Sequence, residues 1–495
     1  MIKVYVDWNV MSGMKNGHFP ELLSILENKE KFLLVYSTSH IGDILASNSD
    51  DVKQQEIIQT DFDFMTRLTN NLCLSNAGKS VVLDYCEPRE IFDNQIDSKK
   101  LTDNLSIDNL FNSVEIDETL KPFIESYKAL LHSINLEAVL KQAYDTPEGA
   151  EMMNKMFPGL ENDLTMNGFF KSFGLMLESI NEKEGLKDLR GIIQQVGINS
   201  SHFNPEKEPF ELIQNAYSKM GLDENQASSY FEKGKNAPVW FDEITNEYIK
   251  LDLHGFNSDK VKVTEKGKKT FRNTTEDASH SAFASICDFY ITEDKKNFNK
   301  TKAVYNKLDI KTNVFKPIEF IEYYDKFLNV NNLQHHFTTI SDFLQISGEI
   351  YVSEYNDGSG SVITRYPEYY FFNFFNKIMT PQTKSDDDAI YILSKESPAQ
   401  HYLIHFKELE TLIKLFIDNF GADDSGNMFL QLEECKVNEN WSGRTWSKIP
   451  NFTIRIIKLN GYFQLYLFSN KEKLPIPLAS RYKSKFKSFF KRKKL

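Results

Sequence analysis

The fold is decided first at residues 2–9, Ile2-Lys3-Val4-Tyr5-Val6-Asp7-Trp8-Asn9, a short apolar run that ends in an acid. The run predicts a buried β-strand with Asp7 at its carboxyl end, where an open α/β sheet binds its ligands. Two further carboxylates, Asp277 and Asp294, occur near a predicted helix start and a strand end. Acids gathered at one sheet edge cannot all stay ionised without a cation, so we predict a Mg²⁺ or Mn²⁺ site.

Short strands and helices alternate on both sides of the middle of the chain. A strand at 32–36 precedes a helix that Ser37 can cap, and strands at 289–291 and 314–317 appear late in the chain. Strand and helix in short units imply parallel pairing through right-handed crossovers. The sequence therefore predicts one α/β domain made of residues 1–94 and 256–328.

The rest of the chain has different patterns of apolar and polar residues. Within residues 95–255, apolar residues recur at the spacing of a helix, so this segment is predicted to be a mostly helical insertion. Residues 329–480 are predicted to be an α+β domain, with a helix near 405–419 and a hairpin at Asn460-Gly461. The tail 481–495 interleaves basic and aromatic residues, which fits binding to RNA or to an anionic membrane surface, or a disordered solubilising end.

Composition limits the class of protein. The formal net charge of −12 argues against a surface that binds nucleic acid throughout, so any such binding must be local. Four scattered cysteines argue against a disulfide framework or a structural zinc site and fit a reducing compartment. No secretory leader opens the chain, and no apolar stretch approaches the ~18 residues of a membrane helix. We expect a soluble, cytoplasmic protein without a transmembrane segment.

The acid-bearing segments at 4–11, 36–45, 277–285 and 287–295 resemble the ordered motifs of PIN-domain nucleases. The resemblance extends over about 1–94 and 256–325 only. It implies a PIN-like α/β/α sandwich around a central parallel sheet, in which four acids are both the catalytic residues and the metal ligands. Residue by residue, it implies the acids Asp7, Asp43, Asp277 and Asp294, with Asn9 and Thr292 as supporting groups.

Two features depart from that family pattern. Asp43 stands where the family usually has Glu, and its shorter side chain can alter how a metal is coordinated. The long insertion at 95–255 is atypical of small PIN toxins. The insertion bears on the choice of substrate more than on the chemistry.

The chemistry follows from the acids themselves. Hydrolysis of a phosphodiester needs a deprotonated water and stabilised charge on the leaving oxygen, and one or two divalent cations provide both. Hard cations prefer oxygen ligands, whereas zinc prefers His or Cys. Each acid also has a purely structural interpretation. Asp7 and Asp277 can cap helices, Asp43 can complement a helix dipole, and Asp294 can begin a surface turn.

Other polar residues near the third motif admit two interpretations. His280 either contacts substrate or protonates a leaving group, or it is a buried structural histidine. The basic run before this motif either grips phosphates beside the scissile bond or is a solvated loop. The predicted nucleic-acid-binding residues are Lys266, Lys268, Lys269 and Arg272.

The leading functional hypothesis is a metal-dependent endonuclease, with an endoribonuclease favoured over a nuclease that acts on DNA, in stress response or in defence. The first alternative is a catalytically inactive PIN-like scaffold that binds RNA or organises an assembly. A further alternative is a DNA structure-specific nuclease. The expected partners are an RNA or DNA substrate and, through the insertion or the C-terminal module, a second copy of the chain or a regulatory protein.

Overall fold

The computed structural model describes residues 1–102, much of 141–257, and 271–330, together with most of 332–469. Its described parts of 141–257 are chiefly 144–157, 159–165, 197–203, 207–219 and 237–257. Within 332–469 the segments 346–350, 355–359, 384–389, 396–404, 431–439, 450–451 and 460–461 fall outside the description. The predicted basic tail at 481–495 also lies outside it.

A six-stranded sheet organises the first compact unit, which spans the described part of Ile2–Glu322. Its strands are β1 (Ile2–Val6), β2 (Phe32–Ser37), β3 (Leu72–Asn76), β4 (Val81–Tyr85), β5 (Phe289–Ile291) and β6 (Asn313–Phe315). They lie in the order β4-β3-β2-β1-β5-β6. Helices connect them, so the unit is mixed α/β.

The helices of this unit follow its strands along the chain. They are α1 (Trp8–Lys15), α2 (Pro20–Leu26), α3 (Thr38–Leu45), α4 (Val52–Thr69), α5 (Pro88–Thr102), α6 (Pro147–Met156), α7 (Pro209–Lys219), α8 (Val239–Leu253), α9 (Phe271–Ala284), α10 (Lys295–Lys307) and α11 (Pro317–Tyr323). Strands at 32–36 and 289–291 and the helix after Ser37 are confirmed.

The sheet is not wholly parallel, and in this respect the prediction is wrong. Strands β1, β2, β3, β5 and β6 pair in parallel, but β4 pairs antiparallel with β3 at the edge. A tight turn joins the two, in which the Ala77 N–H donates to the Ser80 carbonyl at 2.8 Å and Gly78 has φ +76°. The sequence analysis missed both strands, which have five residues each and show no alternation of apolar and polar residues, and β4 is buried only at Val81.

β1 lies at the point where the chain reverses its direction across the sheet. From β1 the chain proceeds to β2 and β3 on one side, and it later returns to β5 on the other. Every residue of β1 and β5 is buried. The Lys3 N–H donates to the Asp288 carboxylate at 2.7 Å, and the Asp288 N–H donates back to the Lys3 carbonyl at 2.9 Å. The crevice at the carboxyl ends of β1 and β5 is therefore a topological switch point, where α/β sheets bind ligands.

Helix α8 belongs to the packed part of this unit, although its sequence falls in the predicted insertion. It packs against α9 and α10. Asp252 on α8 accepts hydrogen bonds from Lys300 on α10 at 2.9 Å and from Arg190 at 2.5 Å, and all three side chains are buried. The Lys300 ammonium also lies 4.6 Å from the ring centroid of Tyr248.

A second compact unit is formed by the described residues from Tyr323 onward. Its seven-stranded sheet is antiparallel throughout, in the order β11-β12-β13-β10-β9-β8-β7. The elements are α12 (Leu333–Gln345), β7 (Tyr351–Glu354), β8 (Gly360–Arg365), β9 (Lys377–Thr383), β10 (Ile390–Ser394), α13 (His405–Phe420), β11 (Trp441–Trp446), β12 (Phe452–Leu459) and β13 (Tyr462–Ser469). The predicted helix and the β12–β13 pairing are confirmed.

One face of this second sheet carries the core of the unit. Ile378, Leu393, Ile456 and Leu465 occupy neighbouring strands and pack in one buried cluster with residues of α12 and α13. Among all the described helices, none is both long and apolar enough to cross a bilayer.

Removing the Asp252 carboxylate should destabilise the first unit strongly. Asp252→Ala leaves the Lys300 and Arg190 charges buried without their shared partner, so we expect a loss of about 3–5 kcal/mol in the free energy of unfolding. Urea denaturation followed by circular dichroism measures it. The matched control is Asp93→Ala, since Asp93 is exposed where it pairs with Arg89 on the same helix, and the expected loss in the free energy of unfolding is under about 1 kcal/mol. Equal losses in both variants would contradict the assignment.

Candidate metal centre

Asp7 is a buried carboxylate at the carboxyl end of β1. Only 3% of its surface is exposed, and its Oδ2 accepts a hydrogen bond from the Thr292 hydroxyl at 2.7 Å. Asp7 occupies the N-cap position of α1, but its side chain makes no capping hydrogen bond. Thr292 directly follows β5, so the bond spans the crevice at the switch point. The capping interpretation of Asp7 is therefore wrong, and its carboxylate faces the ligand-binding edge of the sheet.

Asp43 and His280 bring two further polar groups to Asp7. Asp43 lies on α3, which follows β2, and His280 lies on α9, which precedes β5. The His280 Nε2 contacts the Asp43 Oδ2 at 2.9 Å. One ligand atom from each of Asp7, Asp43 and His280 can be chosen so that all three atoms lie within 4.8 Å of one another. Residues separated by more than 230 positions in the chain thus form one compact group.

A chain of hydrogen bonds holds His280 in place from behind. The Tyr5 hydroxyl contacts the His280 Nδ1 at 2.7 Å and the Ser37 Oγ at 2.6 Å. Ser37 in turn lies 3.2 Å from the His40 Nδ1, which accepts the Ser37 N–H at 3.0 Å. The His40 Nε2 donates to the Val6 carbonyl at 2.7 Å. The chain runs from Asp43 to the residue before Asp7, so the positions of both acids depend on it.

The helices α3 and α9 approach each other closely beside this group. A Cβ placed on Gly42 would lie 2.6 Å from the Glu276 Oε1, so Glu276 occupies the space that a larger residue at 42 would need. Asp43 follows Gly42 directly, and Asp277 follows Glu276 directly. The close approach therefore sets how near the two acids lie to the crevice.

Asp277 is a half-buried carboxylate in the body of α9. It is the seventh residue of the described helix, which excludes the capping role that its sequence position allows. Its side chain accepts no hydrogen bond from any residue that the structure describes. Burial raises its pKa well above the usual value, the nearby Lys300 opposes that rise, and Asp7, Asp43 and Asp294 add to it. Asp277 is thus close enough to the other acids to feel their charge.

Asp294 has a definite structural role. It is the N-cap of α10, and its Oδ1 accepts the N–H groups of Lys296 at 2.7 Å and Asn297 at 3.1 Å. The predicted surface turn is therefore a helix cap. Its charge still acts on the crevice, because it raises the pKa of both Asp7 and Asp277. Its second oxygen, Oδ2, takes no part in the cap.

The remaining predicted residues do not join the cluster. Asn9 is exposed in the first turn of α1, and its side chain makes no hydrogen bond to another described residue. Lys266, Lys268 and Lys269 lie outside the described residues, and of Arg272 only the backbone is described, within α9.

The electrostatics of the group reflect crowded negative charge beside one imidazole. Burial raises the pKa of Asp7, and the Asp43 and Asp294 charges raise it further, while His280 and the Thr292 hydroxyl oppose them. Burial disfavours the charged form of His280, but the Asp43 carboxylate, Asp7 and Glu276 outweigh it and raise its pKa to about 9. The pKa of His40 is lowered well below its usual value by burial and by His280.

These residues fit a hard divalent cation. Their free donors are carboxylate oxygens, which Mg²⁺ and Mn²⁺ prefer. The Asp7 Oδ1 and the Asp277 carboxylate accept no hydrogen bond from the described residues, so they are available to a ligand. Both ring nitrogens of His280 are already engaged, by Asp43 and Tyr5. His280 is then better placed to orient Asp43 than to bind a cation itself.

Three residues of the site were not predicted to belong to it, although Ser37 was predicted to cap the helix that follows. Tyr5, Ser37 and His40 carry the hydrogen-bond chain. Ser37 and His40 had a recognisable signal, because they form a capping box at the start of α3, with a Ser at the N-cap and a polar side chain three residues later. Tyr5 had none, since a tyrosine in a buried strand is ordinary core material.

The charged form of His280 should stabilise the metal-free protein in a pH-dependent way. Its pKa is about 9 in the folded state and near 6.5 when unfolded, so this stability is fully present below pH 6.5 and is lost as pH rises through 9. In EDTA, we expect the wild type to lose about 1–3 kcal/mol more than His280→Gln between pH 6.5 and 9.5. Urea unfolding at each pH measures the difference.

Two variants control that pH experiment. Asp43→Asn removes the carboxylate that raises the His280 pKa, and it should remove most of the same pH dependence. His18→Gln changes an exposed histidine of the same unit and should keep the wild-type profile. If His280→Gln follows the wild type across the whole range, the imidazole is neutral in the folded protein.

Comparison with known proteins adds no family to these observations. No family model, curated protein or solved structure matches the chain. The resemblance to PIN-domain nucleases therefore stays a prediction from four short motifs.

Proposed function

We propose that this protein is a metal-dependent phosphodiesterase of the endonuclease type, with RNA as its preferred substrate. The observation that carries the proposal is the cluster of Asp7, Asp43 and His280 at the switch point of the sheet. Asp277 and Asp294 add negative charge to the same crevice. So many acids in one partly buried place lower the stability of the fold unless a cation joins them, which favours a binding role.

Each acid has a distinct role in this proposal. Asp7 is the central ligand for Mg²⁺ or Mn²⁺, because it is buried, is held by Thr292 and has a free oxygen. Asp43 and Asp277 complete the ligand set, and Asp294 contributes through its free oxygen or through water. When bound, the cation supplies activation of the attacking water and stabilisation of charge on the leaving oxygen.

The residues behind the acids act as positioning groups. His280 holds the Asp43 carboxylate through its Nε2, and Tyr5 fixes the opposite side of the imidazole ring. Thr292 fixes one oxygen of Asp7 and leaves the other for the cation. Such supporting hydrogen bonds orient metal ligands and are commonly worth 10- to 100-fold in affinity or activity.

Two alternatives remain distinct from this proposal. An inactive scaffold that binds RNA has no use for clustered negative charge beside a polyanion, so the free carboxylates favour the enzyme. A DNA structure-specific nuclease would use the same acids, and only the choice of substrate separates it. A role in stress response or defence belongs to the proposal as its biological setting.

The acids should be essential for cleavage. We expect Asp7→Asn and Asp277→Asn to lower the cleavage rate of labelled single-stranded RNA at least about 100-fold in Mg²⁺ or Mn²⁺, because each removes a ligand charge. EDTA should abolish wild-type cleavage. Labelled single-stranded DNA and a branched DNA, assayed in parallel, identify the substrate class.

The matched control is Asp309→Asn, which neutralises an exposed acid of the same unit. Its rate should equal that of the wild type. Isothermal titration with Mn²⁺ separates the alternatives. Metal binding that both Asp variants lose, without cleavage of any substrate, would favour the scaffold. Full activity in Asp7→Asn and Asp277→Asn would exclude the proposed site.

A further inference from the structure

The second sheet has a face that differs from its core face in exposure and charge. Side chains alternate between the two faces along each strand. One row of residues crosses five neighbouring strands on the side opposite the core. It consists of Thr445 on β11, Arg455 on β12, Tyr466 on β13, Ile392 on β10 and Met379 on β9. We call these residues, with Phe468, Gln464 and Lys377 on the same side, the open face. Each of them is exposed or partly exposed.

Charge on the open face is positive only. Arg455 and Lys377 are its charged members, and none of its members is Asp or Glu. This is notable in a chain whose formal net charge is −12. Arg455 on β12 and Lys377 on β9 are three strand spacings apart across the sheet and offset by two residues along it, which places their backbones about 16 Å apart. A few nucleotides of a single strand span such a distance.

Two aromatic rings lie on β13, a strand that stands between the strands of the two cations. Tyr466 and Phe468 are two residues apart on β13, with ring centroids 6.2 Å apart and planes inclined by 21°. The Tyr466 hydroxyl donates to the Gln464 Oε1 at 2.9 Å, which fixes that ring along the strand. Arg455 lies directly across from Tyr466 and donates to the Ser442 carbonyl at 3.1 Å. The two rings and the Arg455 side chain are therefore held in place before any partner binds.

We propose that the open face binds single-stranded nucleic acid. Bases stack on Tyr466 and Phe468, and phosphates contact Arg455 and Lys377. Every base has a π-face, so such a surface tolerates many sequences, and aromatic rings with flanking cations are the elements that single-strand binding uses. The open face belongs to a different compact unit from the Asp7 cluster, so this proposal goes beyond the proposed cleavage and is tested separately from it.

A second copy of the chain fits the open face less well. In a symmetric dimer the same patch meets itself. Arg455 and Lys377 would then face the same cations without an acid on the patch to neutralise them, and like charges across an interface disfavour association. The apolar members Ile392 and Met379 are compatible with either partner, so charge decides between them.

Binding of a labelled oligouridine to the full-length protein, in EDTA to prevent cleavage, tests the proposal by fluorescence anisotropy. We expect Tyr466→Leu to weaken binding about tenfold or more, whereas Tyr466→Phe, which keeps the ring, should bind like the wild type. Arg455→Glu should weaken binding and reduce the slope of log affinity against log salt by about 0.7 or more.

Matched controls lie in the same unit but away from the open face. Lys414→Glu makes the same kind of charge reversal on the exposed side of α13, and Phe429→Ala removes a ring that is 81% exposed. Both should bind like the wild type. Circular dichroism verifies folding, and Arg455→Glu, at an exposed position, keeps the test valid if Tyr466→Leu does not fold.

The outcomes separate this proposal from the proposed function. Asp7→Asn should bind oligouridine like the wild type while failing to cleave it, whereas Arg455→Glu should bind weakly. Equal affinity in all open-face variants, or equal losses in the Lys414 and Phe429 controls, would overturn the assignment. A change in oligomeric state on sedimentation, with unchanged RNA affinity, would overturn it in favour of a contact between copies.

Discussion

The candidate site depends on the parallel pairing of β1 with β5. This pairing joins residues 4–6 to residues 289–291, and the Asp7 N–H continues it by donating to the Ile291 carbonyl at 2.9 Å. The two strands end together, so Asp7 and Thr292 are placed side by side and their side chains meet. Nothing in the local sequence of either strand requires the two to pair with each other. The pairing requires that both strands be apolar enough to be buried on both faces, which each of them is.

The same pairing explains why the polar chain behind the acids is possible. Tyr5 belongs to β1, so burying that strand places a hydroxyl at the centre of the sheet, where it needs partners. His280, Ser37 and His40 meet that need, and the chain ends on the Val6 carbonyl. A fully bonded network of this kind costs little when complete and much when one member is lost. The requirement to satisfy Tyr5 thus orients His280, and through it Asp43.

Sequence patterns predicted some strands of the first unit, with the acids that follow them, and missed others. Asp7 was singled out because it follows a buried strand at the edge where α/β sheets bind ligands, although the same position also suits a turn or a helix cap. Strands β1, β2 and β5 follow the predicted apolar runs. The strand pair β3–β4 was missed, since both strands are short and the outer one is mostly half-buried or exposed, without the alternation of apolar and polar residues that marks a strand. The capping role of Asp294 was not distinguished from a turn either, because both place an acid before a helix. Helix α8 was assigned to an insertion because its burial depends on Asp252, Lys300 and Arg190, which only the fold brings together.

The acids illustrate how a metal site can be predicted from sequence and what the fold adds to that prediction. A carboxylate whose pKa is raised by burial and by neighbouring acids is destabilising to an apo protein, and Asp7 and Asp277 are two such carboxylates. Such an arrangement is retained in folded proteins when the repulsion is put to use. His280 offsets part of the repulsion, since a positive imidazolium between Asp7 and Asp43 neutralises part of their charge. A cation placed on the free oxygens of Asp7 and Asp277 would remove most of the remainder. The order of the acids in the sequence indicates their type of chemistry, but only the fold shows that a histidine shares their charge.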